Sequence, residues 1–293
     1  MAPWHDDLQA DIEFETLSPT SRLLKKAVIN PLANYMPARA VRAMLRFGRS
    51  RFAEASWNDP GGWRSMVLSY DADSPQLADK ILISGGTMPM ALRNRKRLAG
   101  RVLARLINHC DKGEDVHVLC LGAGPGAIIM DAICQAQRPA RATLVDINTD
   151  AFEYGRRQAA QRGIAERVRF IQSDVREMDR LLDSPPDIVK MLGICEYLPD
   201  DVLLPIAQAA ARVMPGCGAI VLNSLEPTHG VDRFFRRVMD LHMIHRTPAE
   251  LIALMGEAGF SDFLVFPEPL GVFNILVGRR ISDPAPEPQK DSE

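Results

Sequence analysis

The run Val116-His117-Val118-Leu119-Cys120-Leu121-Gly122-Ala123-Gly124-Pro125-Gly126 constrains this chain more than any other stretch. An apolar segment of strand length passes directly into a turn with glycines at 122, 124 and 126, and an apolar helical segment follows. Strand, glycine turn and helix in that order open an α/β fold at a nucleotide-binding edge. The glycines remove the Cβ atoms that would keep a cofactor off the backbone, and Pro125 suits a first helical turn.

The spacing Gly122-x-Gly124-x-x-Ala127 also satisfies a dinucleotide fingerprint, so the turn alone leaves the cofactor open. A second apolar strand, Ala142-Thr143-Leu144-Val145, ends in Asp146, an acid able to accept hydrogen bonds from both ribose hydroxyls. NAD and S-adenosyl-L-methionine (SAM) both fit to this point. A third strand over Arg167–Gln172 runs into Ser173-Asp174-Val175, and a fourth over Asp187–Leu192 runs into Gly193-Ile194-Cys195-Glu196-Tyr197. Met214-Pro215-Gly216 precedes a fifth strand at Ala219–Asn223, and Glu257-Ala258-Gly259-Phe260 precedes two more, near 263–266 and 272–277.

This order, over residues 96 to 280, resembles the class I SAM-dependent methyltransferases. The resemblance implies an α/β, Rossmann-like fold: a seven-stranded, mostly parallel sheet flanked by helices. It implies that the turn Gly122, Ala123, Gly124, Pro125 and Gly126 holds the methionine end of SAM, and that Asp146, with Ile147, holds the ribose. Ser173, Asp174 and Val175 would meet the adenine, while Gly193 and Ile194 would lie near the sulfonium. The family often carries two histidines where this chain has Glu196 and Tyr197. Tyr197 is the first candidate for a sulfonium or substrate contact, Glu196 for a group that binds an amine or takes its proton, and His229 for a general base.

Three domains are expected: a helical cap or lid over 1–95, the SAM-binding domain over 96–281, and a disordered, proline-bearing tail over 282–293. Within the cap, Asn58-Asp59-Pro60-Gly61-Gly62, flanked by Trp57 and Trp63, has the composition of a lid hinge. Residues 22–51 carry Arg22, Lys25, Lys26, Arg39, Arg42, Arg46, Arg49 and Arg51 without an acid. That run suits a solvated face balanced by the acidic start (Asp6, Asp7, Asp11, Glu13, Glu15), or an anionic partner such as a carboxylate, a carrier protein or a membrane surface. Arg93 or Arg95, near an expected cleft entry at Met88–Arg95, could hold a carboxylate, and a helix is expected over Leu98–Ile107.

Net charge is −2, and neither a basic excess nor a nucleic-acid-binding module is present. No apolar run is long enough to cross a bilayer and no secretory signal opens the chain, so a cytoplasmic protein without integral membrane segments is expected. The five cysteines, 110, 120, 134, 195 and 217, are expected to be reduced and mostly buried. His242 and His245, three apart on an expected helix, lack companion ligands, so no metal is expected. Lys190 stands out as an ammonium in a strand that should be central.

Methyl transfer to a small molecule in a biosynthetic setting is the leading reading. A non-methylating SAM enzyme is the alternative, closing the aminocarboxypropyl arm to azetidine-2-carboxylate with release of 5'-methylthioadenosine. An inactive SAM-binding interaction protein comes third, and an NAD oxidoreductase is a distant fourth.

Overall fold

A computed structural model describes residues 7–72, 74–110, 115–226 and 230–281. The expected tail from Ser282 and the candidate base His229 lie outside the described residues. A seven-stranded sheet organises the rest: β1 (Val116–Leu121), β2 (Ala140–Asp146), β3 (Val168–Gln172), β4 (Ile188–Met191), β5 (Ala219–Leu225), β6 (Phe260–Pro267) and β7 (Phe273–Arg280). The spatial order is β3-β2-β1-β4-β5-β7-β6. β1 to β5 pair in parallel, whereas β7 runs antiparallel between β5 and β6. The order reverses between β1 and β4, and in such sheets ligands bind beyond the strand carboxyl ends at that point.

Six helices and two π-type turns form the cap: α1 (Pro19–Leu24), continued through a turn at Lys25–Ile29 into α2 (Asn30–Tyr35), then α3 (Ala38–Phe47), α4 (Arg51–Asn58), α5 (Trp63–Asp71) and α6 (Leu77–Asp79), continued by a turn at Lys80–Ser84. The sheet is flanked by α7 (Thr87–Asn108), α8 (Ala127–Gln135), α9 (Asp150–Gln161) and α10 (Asp200–Val213), with α11 (Asp232–Val238) and α12 (Pro248–Glu257) after β5.

Every residue of β1 is buried, because both faces of the sheet are covered. Val118 and Cys120 pack with Leu98, Val102 and Leu103 of α7 and Ile129 of α8. Leu119 and Leu121 face Leu203, Ile206 and Ala210 of α10, with Leu251 and Met255 of α12. Each fully buried aliphatic side chain contributes about 1.5–3 kcal/mol. A third cluster joins the cap to the body through Leu45 and Phe52, Met88 and Leu92 of α7, Phe234 and Phe235 of α11, and Phe273.

Four expectations change. α7 begins at Thr87, with Pro89 in its first turn, and runs unbroken through residue 95, well ahead of the helix start expected at Leu98. Met88–Arg95 is therefore no cleft entry but a buried helical stretch. The chain near residue 15 covers it: Glu15 N donates to Asn94 Oδ1 (2.8 Å), Asn94 Nδ2 donates to the Glu15 carbonyl (2.8 Å), and both Glu15 oxygens accept from Arg93 (2.6 Å each). Arg93 thus holds a carboxylate of the protein itself. His242 and His245 lie in a segment without regular secondary structure, since α11 stops at Val238 and Asp240 takes a left-handed φ of 56°. Only Cys120 and Cys195 of the five free thiols are buried, and burial pushes them up to about 11 and about 12.

His117 lies buried on β1, its Nε2 2.9 Å from Thr143 Oγ1. Burial, reinforced by the Arg141 charge, lowers its pKa from 6.5 to about 4. The unfolded chain therefore takes up this proton at higher pH than the folded one, and stability present above pH 6.5 drains away as pH falls toward 4. At pH 5 the loss relative to pH 7.5 should reach up to about 2 kcal/mol. Urea titrations of wild type and His117→Asn at the two pH values should show the variant with the shallower dependence.

Candidate functional site

The register aligns Leu121 with Val145 and Asp146 with Gln172, so the glycine turn, Asp146 and the Ser173–Val175 corner meet at one edge of the sheet. A cavity of about 580 Å³ opens there. Its floor is the turn Gly122–Gly126, where Gly122, Gly124 and Gly126 have φ of 58°, 53° and 81°. A Cβ on Gly126 would stand 2.3 Å from Leu144 Cδ2, so β2 and the helix start could not approach as they do with any other residue there. The roof is the Asp59–Trp63 turn with Met66, Val67 and Tyr70 of α5.

Asp146 Oδ2 accepts from Gly124 N (2.8 Å) and Oδ1 from Asn148 N (2.9 Å). Each oxygen keeps a lone pair for a ligand hydroxyl while the backbone fixes the carboxylate's direction. Asp174 is gripped by Arg176, whose Nε donates to both of its oxygens (3.0 Å each) and whose backbone N donates to Oδ1 (2.9 Å). Those bonds, the side-chain ones first, hold the Asp174 carboxyl down at about 2. Ile147, Asp174, Val175 and Arg176 line the cavity, whereas Ser173 turns its hydroxyl to Glu177 (3.0 Å) and is not part of the wall.

After β4 the chain turns at Gly193, whose N donates to Asn223 Oδ1 (2.9 Å), and Ile194 packs on Gly122. Tyr197 lines the cavity and touches the roof: a Cβ on Gly61, at φ 80°, would lie 2.8 Å from its hydroxyl oxygen. Burial, then the neighbouring Glu196 charge, pushes the Tyr197 phenol far above its ordinary range, so it stays protonated. Glu196 is buried and faces away from the main cavity, its Oε1 3.0 Å from Arg95 Nη1. Arg95 also stacks over the Phe273 ring, 4.6 Å from its centroid. Both arginines offered for a carboxylate, 93 and 95, therefore spend their charge on acids of the chain.

A smaller, mainly apolar cavity of about 70 Å³ adjoins the first; Gly61, Met66, Arg95, Gly193 and Tyr197 line both, and its further wall includes Phe52, Met88, Leu92, Phe235, Met243 and Phe273, with Ser56, Ser65, Ser69 and the candidate Glu196 as its polar groups. Lys190 reaches the main cavity from β4; burial lowers its ammonium from the ordinary range, the Arg95 charge adding to this. The main cavity takes in Trp63, which flanks the Asn58–Gly62 turn singled out in the sequence, and also Asn148 and Tyr70, which have no motif there. Arg176 has one sequence signal, its place two residues after Asp174 as a cation next to an adenine-end acid.

Residues 118–218 match the family described as a methyltransferase domain. The chain is similar to the uncharacterised protein YnbC of Escherichia coli, 27% identical over 180 residues that cover 58% of this chain and 30% of that one. It is also similar to the phenazine O-methyltransferase PhzM of Lysobacter antibioticus, 29% identical over 163 residues that cover 53% and 46% respectively. It thus spans less than half the length of either relative. Among solved structures, the magnesium protoporphyrin IX methyltransferase ChlM of Synechocystis PCC 6803, with bound SAH, superposes at a TM-score of 0.55 with 15% identity, over 82% of this chain and 99% of that one. A glycine cradle at the strand switch point, the matched segment and the shared architecture agree: residues 118–218 match a methyltransferase domain, and the chain has the Rossmann-like fold that the methyltransferase ChlM shares.

Proposed function

We propose that the chain binds SAM in the main cavity and transfers its methyl group to a small, largely apolar acceptor held in the adjoining cavity. The observation that carries this reading is the shared wall at Gly193 and Tyr197, which joins a polar glycine cradle to an apolar chamber under the cap. The residues present fit the cofactor. A Cβ on Gly124 would meet nothing within 4 Å but Trp63 Cβ at 3.7 Å, so its absence widens the gap between floor and roof. Trp63, in the roof, has an indole N–H buried without a partner among the described residues, a donor that a ligand acceptor would satisfy. The relatives whose names state an activity are methyltransferases, which favours methyl transfer over closure of the aminocarboxypropyl arm.

When bound, SAM supplies an activated methyl on a sulfonium leaving group, so the protein's task is to position the acceptor and exclude water. Asp146 and the glycine turn hold the ribose and the adjoining chain. Asp174 and Val175 bound the adenine end, with the Arg176 guanidinium fixing Asp174. Lys190, a cation at the cavity wall, binds the methionine carboxylate. Tyr197, protonated at neutral pH, presents an aromatic face to the sulfonium and a hydroxyl to the acceptor. Glu196, engaged with Arg95, is a positioning residue, and the roof turn keeps bulk water from the shared wall.

Purified protein incubated with SAM and candidate acceptors, followed by nucleoside analysis, tests the reading. S-adenosylhomocysteine should form only with an acceptor. Methylthioadenosine formed from SAM alone would overturn methyl transfer. Tyr197→Phe should lower kcat about tenfold, the worth of one hydrogen bond, with SAM affinity unchanged by calorimetry.

A further inference from the structure

The helical stretch from Pro19 to Tyr35 buries no residue, yet it is rich in large apolar side chains. Leu24, Val28, Leu32 and Tyr35 recur every three or four residues, and all are 46–71% exposed. A helix of a soluble domain ordinarily turns such a stripe to the core. Its neighbours repeat the pattern: Phe47 at the end of α3 is 94% exposed, and Leu77 and Ile81 are 72% and 64% exposed. These elements adjoin one another, since Lys25 donates to the Gly85 carbonyl and Gly48 packs against Ala78. Exposed apolar side chains gathered on adjoining elements mark a contact surface.

Charge identifies what the surface meets. From Thr16 to Ala53 the chain has eight basic residues and no acid. Lys26, Arg39, Arg49 and Arg51 are exposed, and none has an ion pair among the described residues. Glu15 of the acidic start does not neutralise them, since it pairs with Arg93 and Arg97 on α7. A second copy of the chain would set this cationic surface against itself in a two-fold contact, with like charges opposed. An anionic bilayer complements both features, taking apolar side chains among its acyl chains and cations at its headgroups.

We infer that the α1–α3 face of the cap, with the turn at 77–81, docks peripherally on anionic membrane surfaces. It lies in the interface and does not cross, in keeping with the absence among the described residues of any helix long and apolar enough to span. The inference stands independently of the reaction proposed above.

Flotation of the full chain with vesicles tests it, using phosphatidylcholine alone or mixed with about one-third phosphatidylglycerol. At about 0.1 M salt the protein should bind the anionic vesicles at least about tenfold better than the neutral ones, and about 1 M salt should remove most of that difference. Arg39→Glu and Arg49→Glu should each weaken binding by about fivefold or more, the worth of one cation near a charged leaflet. The pair Leu24→Glu, Phe47→Glu should abolish it while SAM affinity and unfolding midpoint stay at wild-type values, which separates a lost surface from a lost fold or site. Equal partition to both vesicle types, or wild-type flotation by the double variant, would overturn the inference. So would a dimer in light scattering that Phe47→Glu dissociates, since a second copy would then own this face.

Discussion

Glu196→Ala is expected to destabilise the protein by about 3–5 kcal/mol, although Glu196 was a candidate for chemistry rather than for folding. The reason is Arg95. Its guanidinium is almost wholly buried, its Nη1 lies 3.0 Å from Glu196 Oε1, and its Nε has no partner among the described residues. Removing the carboxylate leaves an almost wholly buried cation uncompensated between α7 and β7, where desolvation outweighs what the Phe273 ring can return. Arg95→Met combined with Glu196→Leu removes both charges and should recover most of the loss, so a large negative interaction energy is expected in the double-mutant cycle. Chemical denaturation of the four proteins measures it. A loss under about 1 kcal/mol for Glu196→Ala would mean that the pair is solvated, and the carboxylate would then be free to serve an acceptor amine.

Asp146→Ala should weaken SAM binding by about 10- to 150-fold, equivalent to about 1.5–3 kcal/mol for charge-assisted hydrogen bonds to the ribose. The effect has two sources. The hydroxyl acceptors disappear, and so do the bonds that Asp146 receives from Gly124 N and Asn148 N, which leaves the turn unbraced. Asp146→Asn retains one acceptor oxygen and should lose less. Titration calorimetry distinguishes the two variants, and wild-type affinity for Asp146→Ala would remove the residue from the site.

Legibility in the sequence followed the range of the interactions. The β1–glycine turn, Asp146 and Asp174-Val175 were readable because each is a local pattern in which a strand period breaks at a residue with a special backbone or charge requirement. Arg95 and Glu196 were both noticed, but as separate candidates, because nothing within either segment announces a partner about a hundred residues away. The same blindness applied to Arg93 with Glu15. The histidines at 242 and 245 had helical spacing, yet the backbone at Asp240 turned left-handed first. Lys190 looked misplaced in a central strand; its account required knowing that the strand ends under a cavity. Trp63 could be noticed beside its glycine-rich turn, but Tyr70 belongs to the roof through tertiary packing, which no periodicity foretells.

The strand order carries a consequence for biosynthesis on the ribosome. β7 emerges after β6 yet inserts between β6 and β5, and it brings Phe273, the ring beneath Arg95. Until residue 280 has cleared the exit tunnel, the nascent sheet stops at β5, β6 has no neighbour, and Arg95 lacks the ring beneath it. A growing chain therefore completes the chamber walled by Phe273 late, and its partly made form exposes an unpaired edge that cellular chaperones would have reason to cover.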